Sequence, residues 1–349
     1  MIKKKVAILF GGCSPEYNVS LQSAYAVIEH LDSDCYEKIL IGITKEGQWL
    51  RYYGDTKDII KDTWHKDKRC IPAIISPSRD VKGVIELYPD RVEVTRIDIA
   101  FPVMHGKNGE DGTVQGLLEL AGIPFVGCGS LCSALCMNKD IAHKVVNLAG
   151  VKIPESIVLK TGSNEKEIFD KVENLNYPLF VKPVKAGSSF GVTKVYSNEH
   201  LINALKVAFE FDNEAIVEEN IDGFEVGCAI LGNNDLIIGQ VDEIELTQGF
   251  FDYKEKYTLE NSQIHMPARI DYITAERIKK TAGSIYKALG CKGLARVDLF
   301  LTKDGDIVFN EVNTIPGFTS HSRYPNMLKG IGFSFEKILD NLIRLGMEE

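Results

Sequence analysis

The chain has 349 residues, enough for two or three domains with cores of their own. Its formal charge is −9 and its only basic run is Lys3-Lys4-Lys5, which argues against a nucleic-acid partner needing a basic face. The apolar stretch that follows, Val6 to Phe10, is too short for a signal peptide or a membrane span, so no membrane partner and a cytoplasmic location are expected.

Lys5 to Phe10 reads as a buried strand, and Gly11-Gly12 turns it into a helix that opens at Ser14-Pro15 and runs to about His30, with Val19, Ala26 and Val27 in the core. The turn lacks the dinucleotide fingerprint and no Walker A sequence occurs. Glu16 falls at the carboxyl end of the strand, where ligands of α/β sheets bind; an acid favoured by the helix dipole is the alternative. Residues 36 to 95 read as short strands with a charged connection. After the strand Ile97 to Val103 comes His105-Gly-Lys-Asn-Gly-Glu-Asp-Gly112, whose closely spaced glycines imply a tight loop or a close backbone approach. A helix to about Leu120 and a strand ending at Gly127 complete a first α/β domain, 1–127.

Residues 130 to 150 read as helical and include Lys139. Cys128, Cys132 and Cys136 repeat every fourth residue, a pattern that fits a buried small-apolar stripe, and the eight cysteines hold no C-x-x-C pair; free thiols are expected. A strand from Pro154, a helix near 164 to 174 and a strand from Tyr177 ending at Lys182-Pro183 follow. The loop from Lys185 to Val192 carries Ser188 and Ser189; it reads either as a cradle for phosphates or as a plain flexible hairpin. Next come a helix over 201–210, a strand with Glu218, Glu219 and Ile221, and a second with Glu225. A turn at Gly232 to Asp235 leads to the returning strand with Asp242. Leu246 to Pro267 shows no periodicity and has the length of a lid; it holds Phe251, Lys256 and Tyr257. A helix from Thr274 to Leu289 leads into the most informative stretch.

That stretch, Leu294 to Tyr324, reads as a β-hairpin turning at Asp304-Gly305. The turn sets Asp298 opposite Glu311 and Arg296 opposite Asn313, all on one face, with Val297, Leu299, Val308 and Val312 on the other. Facing carboxylates destabilise a sheet unless a cation lies between them, and an all-oxygen set suits Mg²⁺ held together with phosphates. A ladder in which Arg296 bridges the acids is the alternative. The Asn313 to Gly317 turn supplies a backbone N–H of the kind an oxyanion needs.

Several motifs, in order, resemble the D-alanine:D-alanine ligase family of the ATP-grasp superfamily over residues 6 to about 335. They are Phe10-Gly-Gly-Cys-Ser-Pro-Glu16 to Ser20, His105-Gly to Gly109-Glu-Asp-Gly-Thr-Val-Gln-Gly116, Lys182-Pro with Gly187-Ser-Ser-Phe-Gly191, and Arg296-Val-Asp298 with Asn310-Glu-Val-Asn-Thr-Ile-Pro-Gly317. The resemblance implies an α/β chain with an α+β ATP-binding part: an ATP-grasp fold with an open parallel N-terminal domain, a small central domain over 128–218 and a C-terminal domain over 219–349. It implies ATP held by Lys139, Lys182, Ser189, Glu218, Glu219, Ile221, Glu225 and Asn310, and two Mg²⁺, replaceable by Mn²⁺, on Asp298, Glu311 and Asn313. It gives Glu16 the ammonium of the first D-alanine, with Ser188 and Tyr257 as its hydrogen-bonding partners, Lys256 the γ-phosphate, and Arg296 with Gly317 the oxyanion. His105 lies near the first substrate and Ser322 meets the second substrate's carboxylate. A homodimer is implied.

Phe251 and Arg323 depart from the housekeeping pattern of Tyr and of Met or Leu. With Glu255-Lys256-Tyr257 they resemble the glycopeptide-resistance ligases, and of these the D-alanine:D-serine type, for peptidoglycan precursors that lower vancomycin affinity. D-Alanine and D-serine are then the substrates, and Arg323 would fix Asp242 so that its carboxylate accepts from the serine hydroxyl; a strand-end surface acid is Asp242's other reading. The rival readings are a housekeeping D-alanine:D-alanine ligase, another ATP-grasp ligase such as a carboxylating enzyme, and an ATP-binding sensor without turnover.

Overall fold

A computed structural model of the protein describes residues 3–246 and 262–348. The first sheet holds β1 (Lys4–Gly11), β2 (Tyr36–Ile43), β3 (Trp49–Tyr52), β4 (Cys70–Ile75), β5 (Gly83–Leu87), β6 (Val92–Arg96) and β7 (Ile99–Val103), in the order β6-β5-β4-β3-β2-β1-β7. Only β2-β1-β7 is parallel; the segment 36 to 95 extends the sheet with antiparallel strands, so the expected parallel domain is mixed. Around it lie α1 (Tyr17–His30), α2 (Lys57–Ile60) and α3 (Thr113–Ala121).

The helix after the first glycine turn starts two residues later than Pro15 suggests, and its inward face differs from the expected one. Tyr17, Ser20, Leu21, Ser23, Ala24, Val27 and Ile28 are buried, whereas Val19 and Ala26 are only half-buried. Two serines face inward because the neighbouring backbone and a histidine supply partners: Ser20 Oγ donates to the Val103 carbonyl and accepts from Gly11 N–H at 2.8 Å. A buried hydroxyl with such partners costs little.

The single helix expected over 130 to 150 is two, α4 (Ser130–Met137) and α5 (Lys139–Leu148). Asn138 breaks it: its side chain caps α5 by accepting from Ile141 N–H at 3.0 Å. Cys128 precedes α4, and Cys132 lies 3.9 Å from Cys136 and 3.6 Å from Cys291, sulfur to sulfur. Cys128 donates to the carbonyls of Lys292 and Leu294, so it packs as a protonated thiol. Residues 128–148 were grouped with the central domain from sequence, but Cys132, Cys136, Ala142 and Val146 share a core with the third sheet.

The second sheet, β10-β9-β11-β8, comprises β8 (Ser156–Lys160), β9 (Leu179–Pro183), β10 (Thr193–Val195) and β11 (Glu214–Glu219). It packs on α6 (Glu165–Val172) and α7 (Asn198–Phe209) through Leu159, Val181, Leu201 and Val217. The third sheet, β14-β13-β12-β15-β16, comprises β12 (Gly223–Leu231), β13 (Ile237–Leu246), β14 (Ser262–His265), β15 (Leu294–Thr302) and β16 (Ile307–Asn313). Its helix α8 (Tyr272–Ala288) covers one face, and α9 (Arg323–Lys329) and α10 (Phe335–Gly346) follow β16. The residues Phe318, Tyr324, Met327, Leu342 and Ile343 form one core with Ile8 and Phe10 of β1, locking the first sheet to the carboxyl-terminal helices.

The hairpin β15–β16 keeps the expected pairs Arg296↔Asn313 and Asp298↔Glu311. It does so through two offsetting departures. Thr302 N–H bonds Asp306 O, so Lys303, Asp304 and Gly305 form the turn, with Gly305 at φ 82°. The shifted register, Leu299↔Phe309, returns at a bulge around Asn310. In consequence Phe309, not Val308, shares a core with Val297, Leu299 and Val312, while Val308 is buried apart from it.

Candidate functional site

Glu16 occupies a corner built from three loops. It is only 7 % exposed, and Ser188 Oγ donates to it across a separation of 172 residues. Ser188 and Ser189 both lie in the left-handed region, at φ 49° and 58°. Two successive non-glycine residues there mark a built loop rather than a flexible one. The glycines explain themselves at this corner: a Cβ on Gly106 would come 2.2 Å from Glu16 Oε2, and one on Gly187 would come 3.1 Å from it. The close approach implied by the 105–112 loop is therefore to Glu16.

Glu110, which sequence reasoning did not single out, faces the same corner. Gly106 N–H donates to its Oε2 at 2.7 Å and Ile315 N–H to its Oε1 at 3.3 Å. Burial, with Glu16 beside it, pushes its carboxyl up to about 8. His105 is buried and held down to about 4 by that burial; its Nδ1 bonds Ile315 O at 3.0 Å and its Nε2 lies 3.1 Å from Ser23 Oγ. A His105-Gly-x-x-Gly-Glu110 spacing, with both polar groups turned inward by glycines, is the signal that would have found Glu110.

Between the second and third sheets opens a cavity of about 550 Å³. Lys139, Lys182, Ser189, Glu218, Glu219, Ile221, Glu225, Asn310 and Glu311 line it, so the expected nucleotide residues are gathered in one place. Lys182 Nζ bonds Glu218 Oε2 at 2.6 Å, and Lys139 Nζ bonds Ala186 O at 2.6 Å and lies 4.0 Å from Glu311. Burial alone would raise the Glu218 carboxyl, but Lys182 and His143 outweigh it and leave it below the usual range. Glu218 Oε1 and His143 Nδ1 are buried with no hydrogen-bond partner among the described residues, 3.9 Å apart. Such orphaned atoms fit a ligand that donates to Glu218, as an exocyclic amine does. His143 was missed from sequence, although it stands one helical turn after Lys139 on the same face of α5.

The third sheet carries a row of cross-strand partners, Asp242–Gly227–Asp298–Glu311. Arg296 grips Asp298 with two bonds, Nε at 2.8 Å and Nη2 at 2.7 Å, and Asn313 Nδ2 adds a third at 2.9 Å. Arg323 lies across the row: Nε and Nη2 bond the two oxygens of Asp242 at 2.7 and 2.8 Å, Nη1 bonds Glu225 at 2.9 Å, and Asp298 is 3.4 Å away. The three carboxylates push the Arg323 guanidinium up despite its burial. Gly227 makes this possible, since a Cβ there would meet Arg323 Nη2 at 2.3 Å and Asp242 at 2.8 Å. The direct bond expected from Asp242 to a substrate hydroxyl gives way to a different arrangement: Asp242 is fully buried and spends both oxygens on Arg323. Glu311 lines the cavity, with Asp298 across the hairpin from it and Asn313 two residues on; the three offer only hard oxygen ligands, the Asn313 nitrogen being engaged and its oxygen left as the ligand atom, a donor set that fits Mg²⁺.

Beyond the row, the 313–317 turn brings Gly317 next to Ser322. A Cβ on Gly317 would lie 3.0 Å from Ser322 Oγ, and among the described residues the Gly317 N–H has no acceptor. Ser322 Oγ accepts from Thr319 N–H at 2.9 Å. Ser322 stands at the N-cap of α9 and Arg323 is its first residue, so the expected carboxylate loop is a helix start. Phe251, Lys256 and Tyr257 lie outside the described residues. No described helix is long and apolar enough to cross a membrane.

The chain matches two family models, D-ala D-ala ligase N-terminus over residues 5–128 and D-ala D-ala ligase C-terminus over residues 145–344. A crystal structure of VanG D-Ala:D-Ser ligase from Enterococcus faecalis superimposes with a TM-score of 0.92 at 57 % identity, covering 99 % of this chain and 100 % of that one. The vancomycin B-type resistance protein VanB of Enterococcus faecalis is 45 % identical with full coverage of both chains. A D-alanine–D-alanine ligase of Caldicellulosiruptor bescii is 43 % identical, covering 100 % of this chain and 96 % of that protein.

Proposed function

Because this chain belongs to the D-alanine:D-alanine ligase family, with the ATP-grasp fold and the ligase chemistry that go with it, we propose that it joins D-alanine to D-serine at the expense of ATP. The observation that carries the serine reading is Arg323, held by Asp242 and Glu225 across the row that also bears Asp298. A guanidinium so fixed presents N–H donors that a serine hydroxyl can accept from, directly or through a water, and that the methyl of D-alanine cannot. Asp242 acts through Arg323 as a positioning residue. The similarity to VanG D-Ala:D-Ser ligase supports the same choice.

In the first step the D-alanine carboxylate attacks the γ-phosphorus and ADP leaves, giving D-alanyl phosphate. Glu16, with Ser188, holds the D-alanine ammonium, and Lys139 and Lys182 serve the phosphates; Tyr257 and Lys256, outside the described residues, are assigned the same two tasks. Glu218, Glu219, Ile221 and Glu225 hold the nucleoside, with Ser189 and Asn310 completing the nucleotide site. Mg²⁺ on Asp298, Glu311 and Asn313 offsets phosphate charge when bound. In the second step the amine of D-serine, after losing a proton, attacks the acyl carbonyl and inorganic phosphate leaves. Arg296 and the Gly317 N–H stabilise the oxyanion, and Ser322 meets the acceptor's carboxylate. Phe251 belongs to the acceptor side, and the lid keeps water from the acyl phosphate. The product would enter peptidoglycan precursors that lower vancomycin affinity, in the cytoplasm where ATP is available, and the enzyme would work as a homodimer.

The test is an incubation with ATP, Mg²⁺, D-alanine and an equal amount of D-serine, with both dipeptides weighed by mass spectrometry. Predominant D-alanyl-D-serine supports the proposal. Predominant D-alanyl-D-alanine would make this a housekeeping ligase.

A further inference from the structure

The oxyanion turn is held in place by the other end of the chain. Its Ile315 peptide is gripped on both sides: the carbonyl accepts from His105 Nδ1 at 3.0 Å, and the N–H donates to Glu110 at 3.3 Å. Three residues on, Phe318 N–H donates to Ser23 Oγ at 3.2 Å. Ser23 is fully buried on α1, and its Oγ lies 3.1 Å from His105 Nε2.

The directions of these bonds follow from chemistry. A carbonyl only accepts, so His105 carries its proton on Nδ1, and its Nε2 must accept from the Ser23 hydroxyl. Ser23 oxygen in turn accepts from Phe318. The result is one directed chain, Phe318 N–H to Ser23, Ser23 O–H to His105, and His105 N–H to Ile315 O, which leaves and re-enters the same turn. Gly317 lies between its two ends. No side chain of the third sheet contributes a link; the bonds come from α1 and from the loop after β7, and they fix the turn into which β16 leads, and with it the Gly317 N–H.

We infer that Ser23 is a positioning residue for the oxyanion turn, acting through His105 and Phe318 on the Gly317 N–H. This rests on the ligase reading, in which Gly317 serves the second step only. Displacing a donor by a fraction of an ångström matters for the step that uses it, because a misplacement of about 1 Å can cost about 100-fold in rate. The lysines and the metal ligands share no bond with this chain, and Glu16 meets it only through backbone, where Ser14 Oγ bonds the His105 carbonyl at 2.7 Å and accepts from Glu16 N–H at 3.2 Å.

The experiment compares Ser23→Ala with the wild-type enzyme in two rates. One is dipeptide formation. The other is the D-alanine-dependent scrambling of a heavy-oxygen label from the β,γ-bridge of ATP into the β-nonbridge positions, which counts each formation and reversal of D-alanyl phosphate. The expected result is a fall of about 10- to 100-fold in dipeptide formation, with label scrambling within about twofold of wild type. A purely structural role would lower both together, and that outcome, or no fall in either, overturns the inference. Wild-type enzyme that forms no dipeptide from ATP and D-amino acids would instead overturn the ligase reading on which it stands.

Discussion

Two charged clusters flank the site and are finished to different degrees. Around Arg323 the acids are already matched: Asp242 has both oxygens engaged, and Asp298 takes bonds from Arg296 and Asn313 with Arg323 close by. Around Lys182 the pairing is incomplete, since Glu218 Oε1 and His143 Nδ1 are buried without hydrogen-bond partners among the described residues. Buried polar atoms left unpaired are costly, so a surface of this kind is completed by its ligand, whereas a matched network serves as a frame. The contrast assigns one end of the proposed nucleotide site to the Lys182 side and acceptor choice to the Arg323 side, while Glu225 and Asp298, bonded to Arg323 and Arg296, join the two.

The largest expected effect tests the frame. Arg296→Ala removes both the proposed oxyanion donor and the two-bonded partner of buried Asp298. It should lower kcat by about 100- to 1,000-fold, measured as dipeptide per enzyme at saturating substrates. A fall in kcat of less than tenfold would mean that the matched network is packing alone. Gly227→Ala should be next, because its Cβ would press on Arg323 and Asp242 at once. It should cost about 1 to 3 kcal/mol of stability in denaturant unfolding and blur the choice between D-serine and D-alanine. On the other side, Glu218→Gln should raise the KM for ATP by about 10- to 150-fold, the worth of a hydrogen bond to a charged group, while leaving the dipeptide ratio unchanged. If the ratio moved as well, the two clusters would not be separable.

How far these clusters were legible from sequence differs in the same way. The hairpin that carries Arg296, Asp298, Glu311 and Asn313 was readable because strand alternation and an Asp-Gly pair are local signals. Its agreement with the structure came through a longer turn and a bulge that offset each other, and only Val308 betrays the difference. The family resemblance marked the residues now gathered around the cavity between the second and third sheets. Ser23 was not legible, because burial of a serine is invisible until the ring and the backbone N–H that satisfy it are in place. Glu110 and His143 had local marks, a glycine spacing and a helical turn, but their distant partners, Ile315 and Asn310, are what give those marks meaning. The split between α4 and α5 was missed for a local reason, an Asn138 cap inside a continuous apolar pattern.

The smallest expected effect concerns His105. Its folded-state value of about 4 lies below the ordinary imidazole value, so between those two values the unfolded chain binds a proton that the folded chain refuses. The contribution of His105 should therefore fall as pH drops through that window, by up to about 1.4 kcal/mol per pH unit. Glu110, held near 8, has the opposite slope over part of the window in both proteins, so the check is a difference: the stability of the wild type relative to His105→Asn, followed by denaturant unfolding, should fall as pH drops toward 4.

Acceptor choice through Arg323 is the central claim, and one comparison meets it head on: the ratio of D-alanyl-D-serine to D-alanyl-D-alanine formed by the wild-type enzyme and by Arg323→Met from equal amounts of the two amino acids. The account predicts mostly D-alanyl-D-serine from the wild type and a shift of at least about tenfold toward D-alanyl-D-alanine in the variant, the scale of one lost polar contact. An unchanged ratio in a variant that still turns over would contradict it.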